Sequence, residues 1–281
     1  MIDPYIPQFV KIVDMKAVAS DSAIFTLNFV SASRQKNFSF IQGQFVMIGI
    51  PGAGECALDI CSSAKNSSKY IQVTVKRVGF LTEKLVGAKI GDQWTLRGPF
   101  GNGWPNLNKL AKPNLLLIAG GSGLAPLRGI IENIMAMNYQ KDNMIRALCG
   151  SNEIDFLMFQ NEMPNWVNNN ISLDICIAKL AKSINIAGGR VAKGMITQLL
   201  NSDKINIDST VFMIGPPAMY RPVIQKLQAL GFVGENIFFS LERRMHCGIG
   251  VCQHCAVNDV YICKDGPVFN VNDLIKNPDL I

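Results

Sequence analysis

Four cysteines near the end of the sequence have a spacing that could hold a redox-active metal centre. In chain order they are Cys247, Cys252, Cys255 and Cys263, which gives the pattern C-x4-C-x2-C…C. That spacing is typical of a plant-type [2Fe–2S] cluster held by cysteine thiolates. Gly248 and Gly250 lie between the first two cysteines and could adopt the positive φ values that a tight loop needs. The motif therefore predicts a cluster that transfers electrons, with these four cysteines as its metal ligands.

Two other uses of cysteine compete with this interpretation. A thioredoxin-like dithiol needs only the pair Cys252 and Cys255, and it would leave two cysteines without a role. Structural zinc is the stronger alternative, because sites with four cysteines, or with three cysteines and a histidine, are common. His246 and His254 lie beside the motif. Zinc sites usually contain two C-x2–4-C knuckles, so the spacing favours iron–sulfur and makes both histidines bystanders.

The composition is that of a folded protein, with 281 residues, of which 48% are hydrophobic and 17% charged. This length is sufficient for two domains with separate cores. The net charge of +6 is scattered, without the basic runs and interleaved aromatics that would predict nucleic-acid binding. The longest apolar runs are far shorter than about 18 residues, so we expect no membrane insertion. No secretory signal is visible, and eight cysteines in an unexported chain indicate metal or redox use, so we expect a cytoplasmic protein.

Residues 9–100 show the pattern of short antiparallel strands. Apolar and polar residues alternate at residues 25–29 and 71–75, which is the period of a half-buried strand. Further apolar segments, separated by turns such as Gly91-Asp92, predict a small six-stranded Greek-key barrel. One short helix is expected within it, with Thr82 as the N-cap of residues 83–86.

A different pattern begins near residue 107. Residues 114–119 form an apolar run that is typical of a strand covered on both faces. A glycine turn follows, and then a helical pattern in which Pro126 is predicted at the first helical position. Further helices are predicted at residues 156–162 and 218–230, each after a strand. The alternation of strand, turn and helix predicts a doubly wound parallel sheet.

Three turns that contain glycine are predicted at one edge of that sheet. They are residues 120–123, Cys149-Gly150 and Gly215-Pro216-Pro217. Glycine lets the backbone approach a pyrophosphate, and amides at the start of a helix carry partial positive charge. Each turn alone could equally be a tight turn without a ligand, and none has the G-x-G-x-x-G fingerprint. Together they favour a dinucleotide site.

The barrel, the glycine-rich sheet and the four-cysteine motif together resemble the ferredoxin–NAD(P)+ reductase superfamily. Within it the chain resembles the electron-transfer subunits of cytoplasmic [NiFe] hydrogenase (sulfhydrogenase gamma), anaerobic sulfite reductase and dihydroorotate dehydrogenase. The segments that carry the resemblance are residues 43–46, 77–82, 97–101, 120–126, 215–217 and 241–245, with the four cysteines. Residues 263–269 resemble the hydrogenase and sulfite-reductase branch.

The resemblance implies FAD in the barrel and NAD(P)H on the parallel sheet. The residues expected to contact FAD are Leu58, Asp59, Ile60, Val75, Lys76, Arg77, Gly79, Leu81 and Thr82. Those expected to contact NAD(P)H are Gly120, Gly121, Ser122, Gly123, Ala125, Pro126, Cys149, Gly150, Gly215, Pro216, Pro217 and Met219. The segment 56–62 lacks the arginine and tyrosine of the family's R-x-Y-S element. Cys56 and Cys61 are interpreted as small core residues.

The predicted domains are an FAD-binding barrel (1–106), an α/β NAD(P)-binding domain (107–236) and a [2Fe–2S] segment (237–281). The predicted function is that of an NAD(P)H-dependent flavin oxidoreductase. It would pass electrons between NAD(P)H, FAD and the cluster, and on to the catalytic and iron–sulfur subunits of a larger complex. A cytoplasmic [NiFe] hydrogenase is the expected complex. No set of catalytic side chains is legible, so we expect none here. The alternatives are a subunit of sulfite reductase or dihydroorotate dehydrogenase, a stand-alone NAD(P)H reductase, and a zinc-stapled binding module.

Overall fold

The chain forms two compact units in a computed structural model that describes residues 3–180, 185–186, 190–201 and 204–281. The first unit contains Met1–Trp104, Arg128–Asn133 and Arg243–Pro267. The second unit contains Pro105–Leu127, Ile134–Glu242 and Val268–Ile281. Each unit therefore combines segments that are far apart in the sequence. In the described part of the chain, no helix has both the length and the apolar character needed to cross a membrane.

The first unit is built on a six-stranded antiparallel sheet. Its strands are β1 (Gln8–Ala19), β2 (Ser22–Phe29), β3 (Phe45–Ile50), β4 (Gly54–Asp59), β5 (Ile71–Lys76) and β6 (Gln93–Phe100). Their order across the sheet is β4-β3-β6-β1-β2-β5. An isolated bridge between Ile60 and Val73 joins the two edges, which closes the sheet into a barrel. The predicted six-stranded barrel is confirmed.

The barrel encloses the apolar residues that the alternating pattern identified. Phe25, Leu27, Val73 and Val75 are all fully buried. Trp94 of β6 packs on Phe25, with their ring centroids 4.7 Å apart. Because alternate residues of a strand point to opposite faces, this period of two directs one face of each strand into a single core.

Two short helices accompany the barrel, α1 (Ala32–Asn37) and α2 (Phe80–Val86). Helix α2 begins three residues earlier than predicted, with Gly79 rather than Thr82 at its N-cap. The hydroxyl of Thr82 accepts hydrogen bonds from the backbone N–H groups of Val78 and Gly79, each at 3.0 Å. Thr82 therefore stabilises the start of the helix from inside its first turn, because it supplies partners for amides that the helix itself leaves unbonded.

The second unit contains a parallel sheet. In chain order, the strands of this sheet and the helices between them are β7 (Asn114–Gly120), α3 (Leu124–Ala136), β8 (Ile145–Ser151), α4 (Met163–Asn168), β9 (Ile171–Ile177), β10 (Arg190–Lys193), β11 (Ser209–Ile214), α5 (Pro217–Ala229) and β12 (Ile237–Ser240). The order is β10-β9-β8-β7-β11-β12, with every neighbouring pair parallel. The chain leaves β7 on one side and later returns to its other side, which confirms the doubly wound sheet.

Two details of the predicted helices differ from the structure. The helix predicted at residues 156–162 is wrong, because a 3-10 turn at Ile154–Phe156 and a left-handed Phe159 (φ 61°) precede α4. Pro126 is the third residue of α3 rather than the first, since α3 begins at Leu124. Proline is tolerated there because the first four N–H groups of a helix have no partner within the helix.

The remaining strands and helices follow the four-cysteine region. They are β13 (Ala256–Val257), β14 (Val260–Tyr261), α6 (Ile262–Asp265), β15 (Val268–Asn270) and α7 (Asp273–Lys276). Strands β13 and β14 form a hairpin, with Asn258 at positive φ in its turn. Strand β15 adds to the second unit's sheet as an antiparallel neighbour of β12. The sequence did not indicate this edge strand, because three residues are too short to show a period.

Candidate functional site

Three of the four cysteines of the motif accept backbone hydrogen bonds within the first unit. Cys247 Sγ accepts from the amides of Ile249 (3.5 Å) and Val251 (3.4 Å), and Cys263 Sγ accepts from Gly250 (3.1 Å). Cys255 Sγ accepts from the amide of Cys263 at 3.5 Å. Amides that point at sulfur stabilise negative charge on it, and hydrogen bonds to sulfur also tune the potential of an iron–sulfur cluster.

The thiols are arranged as two pairs. The side chain of Cys247 is hydrogen-bonded with that of Cys252, and the side chain of Cys263 with that of Cys255. Among the residues that the structure describes, no three His, Cys, Asp or Glu side chains converge on a position for a single metal ion. A binuclear cluster takes two thiolates at each iron, and two pairs of thiols supply them. The residues present therefore fit a [2Fe–2S] group.

The two pairs differ in their exposure, and one thiol of each pair has a shifted pKa. Cys252 is exposed and Cys247 half-buried, whereas Cys255 and Cys263 are buried. Burial raises the pKa of Cys247, but hydrogen bonds from the backbone of Cys252, Ile249 and Val251 outweigh it and lower the pKa to about 6. Burial, together with the hydrogen bond to Cys255, raises the pKa of Cys263 to about 12. Among the predicted ligands, Cys247 therefore has a thiol that loses its proton near neutral pH.

The surroundings of the exposed pair are open and partly aromatic. A cavity of about 430 Å³ is lined by Tyr5, Pro7, Glu55, Arg97, His246, Cys247 and Cys252. The rings of His246 and His254 contact each other edge to face, with their centroids 4.0 Å apart. His246 therefore lies beside Cys247 and Cys252, and His254 packs on His246.

The residues predicted to contact FAD lie at the ends of two barrel strands, in the segments that follow them, and in the first turn of α2. Leu58 and Asp59 end β4, Val75 and Lys76 end β5, and Ile60 forms the bridge that closes the barrel. The ammonium of Lys76 lies 3.4 Å from the carboxylate of Asp21. The side chains of Lys76 and Asp21 are 40% and 22% exposed, and partly exposed ion pairs contribute little to stability.

Sequence reasoning missed two apolar residues, one on each side of Gly79. Val78 is 75% exposed and Phe80 is 68% exposed, although large apolar side chains are usually buried. The ammonium of Lys84 lies 4.9 Å from the centre of the Phe80 ring. Exposed apolar side chains among predicted cofactor residues are the signal that could have identified this surface, but exposure is not visible in a sequence.

The predicted dinucleotide turns lie at the ends of three adjacent strands in the second unit. Gly120 of β7 is opposite Gly150 of β8, and Ile214, which ends β11, is opposite Ala119 of β7. Gly121 has φ 56°, and a Cβ atom there would meet nothing within 4 Å. The backbone of this turn is therefore accessible to a ligand.

Close packing explains two other glycines of this region. A Cβ atom on Gly123 would lie 2.5 Å from the carbonyl oxygen of Ile214, and one on Gly120 would lie 2.9 Å from Met219 Sδ. Cys149 is fully buried, and burial raises its pKa well above the usual range of a thiol. Any contact that Cys149 makes with a dinucleotide is therefore through its backbone.

One residue that sequence reasoning missed joins the barrel to the cysteine motif. Arg97 of β6 donates to the carbonyl oxygens of His246 (3.0 Å) and Cys247 (3.1 Å). Its sequence position gave no indication of this, because about 150 residues separate it from the motif. Arg97 is buried, and the burial of an arginine is not visible in a sequence.

Three family models match the chain in consecutive segments. An oxidoreductase FAD-binding domain matches residues 9–104, and an oxidoreductase NAD-binding domain matches residues 117–225. The iron–sulfur cluster binding domain of dihydroorotate dehydrogenase B matches residues 242–275. The last match includes all four cysteines of the motif.

Similar proteins cover most or all of the chain. Sulfhydrogenase 2 subunit gamma of Pyrococcus furiosus is 34% identical, with 100% of both chains covered. A probable dihydroorotate dehydrogenase B (NAD(+)) electron transfer subunit of Thermoplasma volcanium is 35% identical, over 84% of this chain and 81% of that protein. A structure of NADH-dependent reduced ferredoxin–NADP oxidoreductase matches with a TM-score of 0.73 and 24% identity, and covers 95% of this chain and 92% of that one. This last likeness supports the fold.

Proposed function

The chain belongs to the family of iron–sulfur flavoprotein electron-transfer subunits that includes sulfhydrogenase gamma and the dihydroorotate dehydrogenase B electron transfer subunit, and we propose that it passes electrons between NAD(P)H and a catalytic partner subunit. It is an oxidoreductase with FAD-, NAD- and iron–sulfur-binding domains. The predicted superfamily, electron-transfer function and cofactors are confirmed. The zinc-stapled binding module is not supported, since the matching model for the cysteine segment is an iron–sulfur domain.

In our proposal Cys247 and Cys252 hold one iron, and Cys255 and Cys263 hold the other. The hydrogen-bonded pairing of the thiols and the amides directed at three of the sulfurs support this assignment. The buried pair faces the protein interior and the exposed pair faces solvent. An electron could therefore reach the cluster from within the chain and leave it at the surface.

We propose that FAD lies along the ends of β4 and β5 and the loop before α2. FAD, when bound, can exchange two electrons with a nicotinamide as hydride and single electrons with an iron–sulfur centre. The backbone of Leu58, Asp59, Ile60 and Val75 would border the cofactor. Lys76, Arg77, Gly79, Leu81 and Thr82 would hold its phosphates, while Phe80 offers an apolar surface. The exposure of Phe80 and the position of Lys76 at the end of β5 support this placement.

We propose that the dinucleotide binds along the turns after β7, β8 and β11. Gly121, with its open and left-handed backbone, would lie against the pyrophosphate, next to Ser122 and the first turn of α3, which contains Ala125 and Pro126. A helix N-terminus favours a phosphate because its amides carry partial positive charge. Gly150 and the Gly215-Pro216-Pro217 turn would border the rest of the molecule, with Met219 packed between Gly120 and Gly215.

The partner we propose is the catalytic part of a hydrogenase complex. The observation that carries this choice is 34% identity over the full length of a sulfhydrogenase gamma subunit. A dihydroorotate dehydrogenase complex is the second candidate, because several electron transfer subunits of that enzyme match 83% or more of the chain. Sulfite reductase and a stand-alone reductase remain predictions. Four cysteines in an iron–sulfur domain fit a reducing compartment such as the cytoplasm, which is the location we propose.

The experiment that tests the proposal separates the partial reactions. The purified chain, confirmed free of other subunits, should oxidise NAD(P)H with ferricyanide or a viologen as acceptor. It should neither evolve hydrogen nor oxidise dihydroorotate until partner subunits are added. Hydrogen turnover by the single chain would overturn the subunit proposal, and failure to oxidise either nicotinamide would overturn the electron-transfer proposal.

A further inference from the structure

Arg97 uses every N–H group of its guanidinium within the first unit. Its Nε donates to Glu55 Oε2 (3.0 Å), and Nη2 donates to Glu55 Oε1 (2.5 Å) and to the carbonyl of His246 (3.0 Å). Its Nη1 donates to the carbonyls of Cys247 (3.1 Å) and Pro4 (2.9 Å). An arginine with five donors in a rigid fork can hold several chain segments at once. Here it joins two barrel strands, the N-terminal segment and the start of the cysteine motif.

The charge of Arg97 lies where water screens it poorly. The Arg97 side chain is 7% exposed and that of Glu55 is 35% exposed. Electrostatic interactions of buried charges are stronger than those at the surface. The bidentate contact with Glu55 offsets the charge of Arg97, so a change at either residue would leave a net charge beside Cys247.

The residues that follow Arg97 also contact the cysteine segment. The backbone N–H of Asn102 donates to the carbonyl of Gly266 at 2.8 Å, and its side chain donates to the carbonyl of Asp265 at 3.1 Å. A Cβ atom on Gly101 would lie 2.5 Å from Pro267 Cδ. Residues 97–102 therefore contact both ends of the cysteine segment. Its start is residues 246–247, and its end is residues 265–267. The segment 97–101 carried part of the family resemblance, but its predicted role did not include the cluster.

We propose that Arg97 is a positioning residue for the [2Fe–2S] cluster and that its charge, opposed by Glu55, sets the cluster's reduction potential. This inference rests on the proposed assignment of Cys247 as a ligand. Arg97 fixes the carbonyl of Cys247 itself, and groups that orient a ligand tune the metal that it binds. Reduction adds one negative charge to the cluster, so a nearby cation raises the reduction potential and a nearby anion lowers it.

The test is a redox titration of the anaerobically purified full chain, followed by electron paramagnetic resonance. Arg97→Gln should lower the midpoint potential and Glu55→Gln should raise it. We expect each change to alter the equilibrium constant for reduction by up to about tenfold, or about 59 mV for one electron. Arg97→Lys keeps the charge but loses the fork, so its potential should stay close to that of the native protein while iron is lost faster to a chelator.

A matched control removes a charge from the same region at an exposed position. Arg244 lies three residues before Cys247 and is exposed, so Arg244→Gln should leave the potential nearly unchanged because solvent screens that charge. If Arg97→Gln fails to fold, the midpoint potential of Glu55→Gln still tests the inference, and a potential that does not rise would overturn it. Shifts of the same sign in the Arg97 and Glu55 variants, or an equal shift in Arg244→Gln, would overturn the inference. A native chain without any cluster would instead contradict the proposed function.

Discussion

The ring of Phe100 lies against the backbone of Gly248. A Cβ atom on Gly248 would stand 2.7 Å from Phe100 Cδ2, and Gly248 has φ 80°. Phe100 in turn packs on Phe45, with ring centroids 5.8 Å apart, so the Phe100 ring has little freedom to move away. The loop between the first two cysteines thus approaches the barrel more closely than any side chain at position 248 would allow.

Gly248→Ala should therefore loosen the cysteine loop and accelerate the loss of iron to a chelator. The matched control is Gly250→Ala, because Gly250 has a similar φ of 75° but its Cβ atom would stand 2.9 Å from Lys264 Cδ, which moves more readily than a packed aromatic ring. Both variants bear the cost of a left-handed alanine, about 1–3 kcal/mol. Faster loss of iron from Gly248→Ala than from Gly250→Ala is the expected result. Equal rates would show that backbone strain alone, and not contact with Phe100, controls the loop.

Cys263→Ser should remove the cluster and leave FAD bound. Cys263 Sγ belongs to the buried thiol pair and accepts the amide of Gly250, whereas the predicted FAD residues lie on the barrel. Iron, acid-labile sulfide and flavin are measured per chain, and about two irons and two sulfides are expected in the native protein. Cys56→Ser is the control, since Cys56 packs against the barrel core. Retention of a full cluster in Cys263→Ser would show that Cys263 is not a ligand.

Gly121→Val should raise the KM for NAD(P)H by roughly tenfold or more, which corresponds to about 1.4 kcal/mol of binding. The reason is that a branched side chain cannot adopt φ 56° easily and would cover the backbone proposed to meet the pyrophosphate. Gly231→Val is the matched control, because Gly231 also has positive φ (97°) and open space at its Cβ position.

Steady-state kinetics with ferricyanide measure this effect, and flavin content verifies the fold. Both valine variants should lose similar stability, but only Gly121→Val should change KM. An unchanged KM in a Gly121→Val protein with full flavin content would contradict the placement of the dinucleotide.

The cluster-free protein should react with iodoacetamide first at Cys247. Its pKa is lowered to about 6 by the amides around its sulfur, so the thiolate is present at neutral pH and disappears as the pH falls below 6. Burial, and next the neighbouring Glu55, raises the pKa of Cys56 to about 11, so Cys56 should stay unmodified at pH 7. Mass spectrometry after short exposures between pH 5 and pH 8 gives the profile. A rate at Cys247 that rises only above pH 8 would contradict the proposed hydrogen-bonded thiolate.

Features that depend on local spacing could be predicted from the sequence. The spacing of Cys247, Cys252, Cys255 and Cys263 predicted an iron–sulfur segment, and the family model confirms it. The alternation at Phe25 and Leu27 predicted the barrel, because one buried face imposes a period of two along a strand. The apolar run that ends at Gly120 predicted a strand of the parallel sheet, because both faces of such a strand are covered.

Features that depend on distant contacts could not be predicted in the same way. The contact of Arg97 with Cys247 joins residues 150 positions apart, and no local pattern encodes it. The wrong helix at residues 156–162 has a local cause, since the left-handed conformation of Phe159 is rare for an aromatic residue. The start of α2 was predicted too late in the sequence. The Thr82 hydroxyl forms hydrogen bonds with the backbone of Gly79, which precedes it, and does not cap a helix that follows it.

The central claim is that electrons from a nicotinamide reach a [2Fe–2S] cluster within this one chain. The most direct measurement is an anaerobic titration of the native chain with NADH and NADPH, read by flavin absorption and by electron paramagnetic resonance at low temperature. We predict that one nicotinamide bleaches the flavin bands and produces a reduced-cluster signal, and that Cys263→Ser retains the bleaching and loses the signal. A native chain that contains zinc, or whose cluster stays oxidised after the flavin has been reduced, would contradict it.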